Sequence, residues 1–179
     1  MREYDETDRI LEAMGIPSPS RMMNYITDSW RKEQESKPIN LNTTISAGLN
    51  KYRMHWIDGV AKALGISTKE RKKEKIEKII SKLTTQLDDV IEKLPPESRE
   101  ALKMVIKAGG WVRYNQLSKK FGGEEEDSYF WESEPPASTI GSLRLHALLF
   151  VGKAGIGGRM YKVAVVPKDI REQLEEMLR

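Results

Sequence analysis

Residues 72–94 constrain the fold more than any other stretch, because their apolar side chains repeat at helical spacing. The repeating residues are Ile76, Ile80, Leu83, Leu87, Val90 and Leu94. Steps of four and three place them on one stripe of an α-helix, so the spacing predicts one long helix. Its lysines precede its acids, the reverse of the order that the helix macrodipole favours by about 0.3–1 kcal/mol per charge. This order indicates either a function for the lysine-rich start or a solvated lysine face.

Charge is distributed unevenly along the chain. The net charge of the 179 residues is +3, but residues 49–83 carry ten Lys and Arg against four acids. Residues 124–134 carry six acids and no base. The basic segment is therefore a candidate contact for an anion such as a nucleic-acid backbone.

The residue inventory argues against several classes of protein. The chain has no cysteine, which excludes disulfides and thiolate metal sites. The longest apolar run, residues 145–151, is far shorter than the roughly 20 residues that span a bilayer, and the first residues do not resemble a signal sequence. We therefore expect a soluble cytoplasmic protein without membrane contact. His55 and His146 stand alone and no catalytic or phosphate-loop motif occurs, so we expect neither an enzyme nor a cofactor.

Two helices are predicted in the N-terminal part, residues 1–38. They span residues 1–14 and 19–37 and end before Pro38. The second helix has an apolar face made of Met22, Met23, Ile26 and Trp30. This face is either core or a partner-binding surface. Residues 39–48, rich in Asn, Thr and Ser, are predicted to be an extended linker.

Residues 49–94 are predicted to form a helical pair that continues into the long connecting helix. A helix over 49–65 is followed by a short connection, and lysines crowd that connection and the next helix start. The run Leu64-Gly65-Ile66-Ser67-Thr68, followed by Lys72-Lys73-Glu74-Lys75-Ile76, resembles the SAP-like helix-extension-helix motif. That resemblance implies DNA or RNA binding. Glu70 stands where the family commonly has a glycine.

The basic segment supplies the first group of candidate phosphate contacts. They are Lys51, Arg53, Lys69, Arg71, Lys72, Lys73 and Lys75. Phosphate contacts provide most non-specific affinity for nucleic acid, and free N–H groups at a helix start add to an anion site. The alternative is a solvated face with no ligand.

Residues 97–179 are predicted to form a second unit with a helix, a short strand at 111–112, two more helices and a hairpin. The hairpin turns at residues 154–158, and a last helix covers 168–178. Residues 97–166 resemble the winged-helix superfamily in element order and spacing. Gly109-Gly110-Trp111-Val112 and the glycine-rich hairpin tip carry this likeness. The resemblance implies DNA binding and equally a protein-interaction scaffold.

In a winged helix that reads DNA, the third helix enters the major groove and the wing contacts the backbone. Here that assigns Ser138, Thr139, Ser142, Arg144 and His146 to the outward face of residues 137–148, with Arg144 as the best base or phosphate contact. Lys153, Arg159 and Lys162 surround the wing, either as a phosphate clamp or as a plain solvent-exposed hairpin. Leu145 and Leu149 would also face outward, which suits a protein partner better than a phosphate backbone.

The acidic residues 124–127 would repel DNA phosphates, so either this loop swings clear or its face does not bind DNA. Tyr129, Phe130 and Trp131 follow it directly. They are expected to be half buried as a satellite core or exposed as an anchor for a partner.

Together these patterns predict a mainly α protein with a small β-wing. We expect it to bind nucleic acid, DNA rather than RNA, by non-specific phosphate contacts in a transcriptional or chromosome-associated role. The alternative is an adaptor that docks on a protein partner through Leu145, Leu149 and the aromatic loop. The stripe of the long helix, or the helix over 168–178, also fits a homodimer or packing within one chain.

Overall fold

The computed structural model describes residues 6–179, so the first five residues of the predicted helix 1–14 lie outside the described part. The described residues are mainly helical, with a small antiparallel sheet, as predicted. The elements in chain order are α1 (Glu6–Ala13), α2 (Pro19–Ser36), α3 (Ile45–Asn50), α4 (Met54–Ala63), α5 (Lys72–Thr85), α6 (Leu87–Glu92), α7 (Pro96–Lys107), β1 (Trp111–Arg113), α8 (Tyr114–Phe121), α9 (Thr139–Leu145), β2 (Phe150–Ile156), β3 (Arg159–Val165) and α10 (Arg171–Met177). Among residues 6–179, no helix is both long enough and apolar enough to cross a membrane.

Helix α2 begins where the sequence predicts. The Ser18 hydroxyl accepts a hydrogen bond from the backbone N–H of Arg21 at 3.3 Å, and Pro19 occupies the first turn. The predicted apolar face divides between two environments. Trp30 packs against the core, whereas Met22, Met23 and Ile26 remain exposed, so the core alternative is wrong for these three.

The prediction of an extended linker over 39–48 is wrong in two respects. Helix α3 already begins at Ile45, because Thr44 caps it by accepting from the N–H of Ala47 at 3.1 Å. The segment before it is held by the sheet, since the Ile39 N–H donates to the Lys153 carbonyl at 2.9 Å. Residues 39–48 are therefore part of the packed structure. The predicted helix over 49–65 is likewise two helices, α3 and α4.

The predicted long helix over 72–94 breaks at Gln86 into α5 and α6. Gln86 has φ −131° and ψ 35°, outside the helical region. In the last turn of α5, the Thr84 hydroxyl donates to the Ile80 carbonyl at 2.8 Å, and Thr85 bonds back to Ser81 in the same way. Such back-bonding weakens and bends a helix.

The break also explains the charge order along this stretch. Asp88 and Asp89 lie in the first turn of α6, where acids are favourable, and Lys82 lies in the last turn of α5, where a base is favourable. The apparent conflict with the macrodipole therefore disappears for these three residues, because two dipoles replace one.

The apolar stripe of α5 and α6 is used inside the chain. Five of its members are buried in the main hydrophobic core and Ile80 is partly buried: the five are Ile76, Leu83, Leu87, Val90 and Leu94. The stripe is therefore not an exposed seam for a second copy of the chain.

The C-terminal elements form the predicted strand and hairpin. The sheet has the order β1-β3-β2 and is antiparallel throughout, with Trp111 opposite Val165 and Phe150 opposite the same residue on the other side. The hairpin turns at Gly157 and Gly158, which have φ of 58° and 80°. Two consecutive residues with positive φ suit the twist of a tight hairpin, and glycine adopts them without strain.

One hydrophobic core joins the two predicted units. Buried residues from Ile45 in α3 to Leu174 in α10 belong to the same cluster, and α9 packs against α4, α7 and α8. The core therefore crosses the predicted boundary near residue 95.

A continuous core predicts cooperative unfolding. Truncating the fully buried Leu83 to Ala should lower the free energy of unfolding by about 2–5 kcal/mol, because it leaves a cavity in α5. The adjacent, exposed Thr84→Ala should change it by about 0.5 kcal/mol or less. Denaturant titrations should give the same unfolding midpoint by far-ultraviolet circular dichroism and by tryptophan fluorescence. The Leu83→Ala variant should lower both midpoints together. Two separate transitions would contradict the single core.

Candidate functional site

A group of exposed cations lies at the start of α5. The side chains of Lys69, Arg71 and Lys73 are exposed, and within residues 6–179 none of the three forms an ion pair. We call these three residues the basic turn. The structure thus leaves three of the predicted cations free to meet an external anion.

The helix start inside the basic turn is not capped by an acceptor side chain at its N-cap. Arg71 occupies that position, and a guanidinium has no acceptor for hydrogen bonds. The Glu74 carboxylate accepts a hydrogen bond from the Arg71 backbone N–H at 3.1 Å. This contact does not use the backbone N–H groups of the first turn of α5. Those N–H groups and the positive end of the helix dipole both favour an anion at this position.

Two further lysines extend the positive region, Lys72 at the first position of α5 and Lys37 just after α2. The Lys72 ammonium donates to the carbonyls of Asn50 at 3.1 Å and Tyr52 at 2.9 Å, and the Lys37 ammonium donates to the carbonyl of Lys51 at 3.1 Å. Burial, and then the nearby charge of Lys37, lower the pKa of Lys72 below its ordinary value. Lysines are thus close enough to repel one another here, and an added anion would relieve that repulsion.

Lys51 and Arg53 already have partners. The Lys51 ammonium donates to the carbonyl of Pro38 and remains half exposed. Arg53 lies 3.4 Å from a carboxylate oxygen of Glu33, and its guanidinium sits 5.5 Å from the centre of the Trp30 ring. Both remain at the surface, but part of the charge of Arg53 is neutralised.

Lys75 is not an available contact. Its side chain is 2% exposed and its ammonium forms an ion pair with Asp58 of α4. The predicted role for Lys75 at the surface is wrong, because the helical phase of α5 turns this lysine toward α4.

Arg144 is also buried, with 1% of its surface exposed. Its Nη1 donates to Glu124 at 2.9 Å and to Glu35 at 3.0 Å. The guanidinium lies 5.2 Å from the ring centre of Trp56 and 5.5 Å from that of Trp131. The prediction that Arg144 faces outward from the third helix is therefore wrong.

The ion pairs of Arg144 belong to a larger buried network. Lys162 of β3 donates to the second oxygen of Glu35 at 2.7 Å, and its ammonium lies 3.7 Å from the centre of the Tyr114 ring. The Tyr114 hydroxyl donates to Glu124 at 2.6 Å. We call the set of Arg144, Lys162, Glu35 and Glu124 the ionic network. Two cations and two anions balance in it, and Lys162, whose side chain is 30% exposed, lies at its edge with its charge already paired.

Burial and neighbouring charges shift the pKa of Glu35 within the ionic network and that of Tyr52 beside it. Burial by itself raises the pKa of Glu35, but Arg144 and Lys162 overcome that effect and hold this pKa below its ordinary value. Burial raises the pKa of Tyr52, which lies beside the network, to about 12. Glu35 is therefore ionised and Tyr52 is neutral at pH 7.

Most of α9 is buried along with Arg144, and Ser142 is partly buried. Thr139, Ile140, Leu143 and Leu145 are buried, and Leu149 just beyond the helix has no exposed surface. The predicted outward placement of Leu145 and Leu149, and with it the adaptor surface built on them, is wrong. The packing of α4, α7 and α8 against α9 leaves little of this helix exposed for a DNA groove.

The aromatic loop belongs to the main core. Tyr129 and Trp131 are buried, and Phe130 is partly buried. The rings of Trp131 and Trp56 stack with their centres 4.1 Å apart, and the indole N–H of Trp56 donates to the Tyr129 carbonyl at 2.8 Å. The buried alternative is confirmed for these side chains, in the central core instead of a satellite.

Two predicted cations remain on the hairpin. Arg159 is exposed at the tip and Lys153 is half buried in β2. The hairpin is bonded to residues 37–39, since the Lys153 N–H donates to the Lys37 carbonyl at 3.0 Å.

An acidic groove runs between α2 and the loop after α8. Its cavity of about 400 Å³ is lined by Asp28, Glu125, Glu126, Asp127 and Glu134, among others. Glu124 turns away from this groove into the ionic network. The acidic loop thus places most of its negative charge beside α2 and not at the start of α5.

Sequence reasoning missed the partners of Arg144. Glu35 stands 109 positions before it and Glu124 stands 20 positions before it. No helical or strand periodicity links residues at such separations. An isolated arginine within the apolar run of residues 143–149 was the one available sign of a buried charge.

Comparison of the chain with protein-family models, with curated proteins and with solved structures finds no match. Its function is therefore inferred from its own residues and their geometry.

Removing the central cation should destabilise the fold strongly. Arg144→Met leaves Glu124 without its ionic partner in a buried site, and we expect a loss of about 3–5 kcal/mol in the free energy of unfolding. Arg159→Met at the exposed hairpin tip is the matched control, with an expected change of about 0.5 kcal/mol or less. Urea denaturation measures both. Equal stability of the two variants would show that the buried carboxylates do not need Arg144.

The ionic network should also make stability fall in acid. The pKa of Glu35 is lowered in the folded state, so its stabilising effect is complete above the ordinary value of 4.5 and disappears as the pH falls through the lower, folded-state pKa. The difference in the free energy of unfolding between the wild type and Glu35→Gln should therefore become smaller as the pH drops from 6 to about 3. Glu176→Gln, at an exposed position, should track the wild type. A difference that is independent of pH would contradict the assignment.

Proposed function

We propose that the protein binds nucleic acid, preferably duplex DNA, through phosphate contacts at the basic turn. The observation that carries this proposal is the set of three exposed cations, Lys69, Arg71 and Lys73, which surround a helix start without partners among residues 6–179. Lys75 and Lys78 form ion pairs with carboxylates, so cations of this chain are paired where an acid lies close enough.

The basic turn suits the phosphate groups of a nucleic-acid backbone better than it suits a carboxylate or a single small ion. Guanidinium and ammonium groups at alternate positions from 69 to 73 suit successive phosphates, and each phosphate neutralised releases counterions. The lysines near Lys72 add long-range attraction without needing direct contact.

The proposed binding is non-specific. The element order from α7 to β3 and the sheet order β1-β3-β2 support the resemblance to a winged helix. In that arrangement α9 would be the reading helix, but it is buried against α4. Without base-edge contacts from α9, sequence discrimination has no evident source, whereas phosphate contacts need none.

Duplex DNA is favoured over single-stranded RNA by the state of the aromatic residues. Single-strand recognition stacks bases on exposed rings. The aromatic residues interleaved with the basic segment, Tyr52 and Trp56, are both buried. A backbone ligand therefore suits this surface better than unstacked bases, in keeping with a chromosome-associated or transcriptional role.

Replacing the basic turn tests the proposal. A variant with Lys69, Arg71 and Lys73 all changed to Glu should lose most of its affinity for a duplex of about 20 base pairs. The slope of log K against log salt should become shallower by about 2–3, since each lost phosphate contact removes about 0.9. Fluorescence anisotropy over a range of salt concentrations measures both quantities.

The matched control changes three exposed lysines outside the basic segment, Lys107, Lys119 and Lys168, to Glu. It carries the same change in net charge, and we expect it to retain most of the affinity and the wild-type salt slope. Equal loss in the two variants would move the site away from the basic turn. Absence of wild-type binding at low salt would contradict nucleic-acid binding altogether, and tighter binding to single-stranded RNA would contradict the preference for duplex DNA.

A further inference from the structure

Three lysine ammonium groups bind backbone carbonyls where the ends of α2 and α3 meet the start of α5. The Lys37 ammonium donates to the carbonyl of Lys51, and the Lys72 ammonium donates to the carbonyls of the residues on either side of Lys51. The Lys51 ammonium donates in turn to the carbonyl of Pro38. We call Lys37, Lys51 and Lys72 the lysine cluster. Three segments that are distant in sequence therefore bring their positive charges to one place.

No carboxylate balances the lysine cluster. Within residues 6–179 none of its three members forms an ion pair, whereas Lys75 and Lys78 each pair with an acid. Burial, and then the charge of Lys37, lower the pKa of Lys72, so these like charges act on one another. The carbonyls at the end of α3 offset only part of the charge, because a helix end carries about half an elementary charge. A bound anion would therefore stabilise the cluster.

Each ammonium group of the cluster keeps at least one N–H group for a ligand. An ammonium group has three N–H donors. Lys72 uses two of them on carbonyls, and Lys37 uses two, on the Lys51 carbonyl and on the side-chain oxygen of Gln34 at 3.3 Å. Lys51 uses one. All three residues are partly exposed, so a solute can reach the cluster from water.

The lysine cluster differs from the basic turn because its side chains are already ordered. A long surface side chain loses rotamer freedom when it binds a ligand, and this loss lowers the affinity that it provides. Hydrogen bonds to carbonyls already hold the three ammonium groups of the cluster. A ligand at the cluster therefore meets preorganised donors, whereas it must itself order the exposed side chains of Lys69, Arg71 and Lys73.

We propose that the lysine cluster binds one phosphate group of the duplex that the basic turn contacts. A phosphodiester stays ionised at neutral pH and presents two non-bridging oxygens, which can accept from the unused N–H groups of neighbouring lysines. Lys72 stands between Arg71 and Lys73, so the cluster adjoins the basic turn. Lys37 lies outside the basic segment of the sequence and becomes a ligand contact only through the fold. The duplex as the source of the phosphate rests on the proposed function, whereas the phosphate chemistry rests on the cluster alone.

Single substitutions measure the contribution of Lys37. Lys37→Gln should lower the affinity for a duplex of about 20 base pairs about five- to tenfold at low salt, and it should make the slope of log K against log salt shallower by about 0.9. Lys37→Arg keeps the charge and should retain most of the affinity. Lys32→Gln is the matched control, because Lys32 is exposed on α2 and forms no ion pair within residues 6–179. It should bind as the wild type does, and urea denaturation should show that all three variants are folded.

Chemical footprinting tests the cluster without any substitution. An acylating reagent modifies accessible lysines, and mass spectrometry measures the rate at each position. Duplex at about ten times its Kd should slow the modification of Lys37, Lys51 and Lys72 by about tenfold, because only the unbound fraction reacts. Inorganic phosphate in place of the duplex should slow the same three lysines. Lys107 and Lys119, which are exposed outside the basic segment, should react at an unchanged rate with either ligand.

The two ligands separate this inference from the proposed function. Protection of Lys69 and Lys73 by the duplex without protection of the lysine cluster would overturn this inference and leave the proposed function standing. Protection of the cluster by inorganic phosphate in a chain that does not bind the duplex would contradict the proposed function and assign the cluster to a free phosphate or phosphate ester. Absence of protection by both ligands, or equal affinity of Lys37→Gln and Lys32→Gln for the duplex, would overturn the inference.

Discussion

The buried charge of Arg144 is the constraint on which the arrangement of the other elements depends. An arginine cannot lose its proton at physiological pH, so a guanidinium in the core must be met by carboxylates. Glu35 comes from the end of α2 and Glu124 from the loop after α8, and Lys162 of β3 completes the balance. Four separate segments are thereby held at one point. That connection helps to hold α9 against α4, and it fixes the end of α2 to the rest of the fold.

Charge satisfaction also divides the cations of this chain into two classes. Lys75, Arg144 and Lys162 each form an ion pair with a carboxylate, and Lys75 and Arg144 are buried while Lys162 is partly exposed. Lys69, Arg71 and Lys73 meet no carboxylate within residues 6–179 and stay in water at the start of α5. Surface cations cost little to leave unpaired, whereas buried ones cost several kcal/mol. The unpaired class is therefore the one available for a ligand. The exposed apolar side chains of α1 and of the first half of α2 form a second, chemically different surface.

Much of the architecture could be predicted because it depends on neighbours in sequence. Helical spacing located α2, α7, α8 and the start of α5, and the glycine-rich run 154–158 located the hairpin turn, although β2 continues to Ile156. The errors arose where local competition or distant partners decide. Threonine hydroxyls that bond back to the helix end α5 before Gln86, and Thr44 starts α3 inside the segment predicted to be a linker. Of the candidate site, the cluster at the start of α5 could be predicted from charge density alone.

The sequence by itself determined the mainly helical class, the small sheet, the basic segment and the absence of cysteine chemistry. Each of these depends on composition or on periods of two to four residues. Only the tertiary structure decided which cations face water, because Glu35 and Arg144 are brought together across 109 positions of chain. The tertiary structure also decided that most of α9 is buried and that apolar side chains in the first half of α2 are exposed. Burial depends on what packs against a side chain, and no local pattern in a single sequence specifies that neighbour.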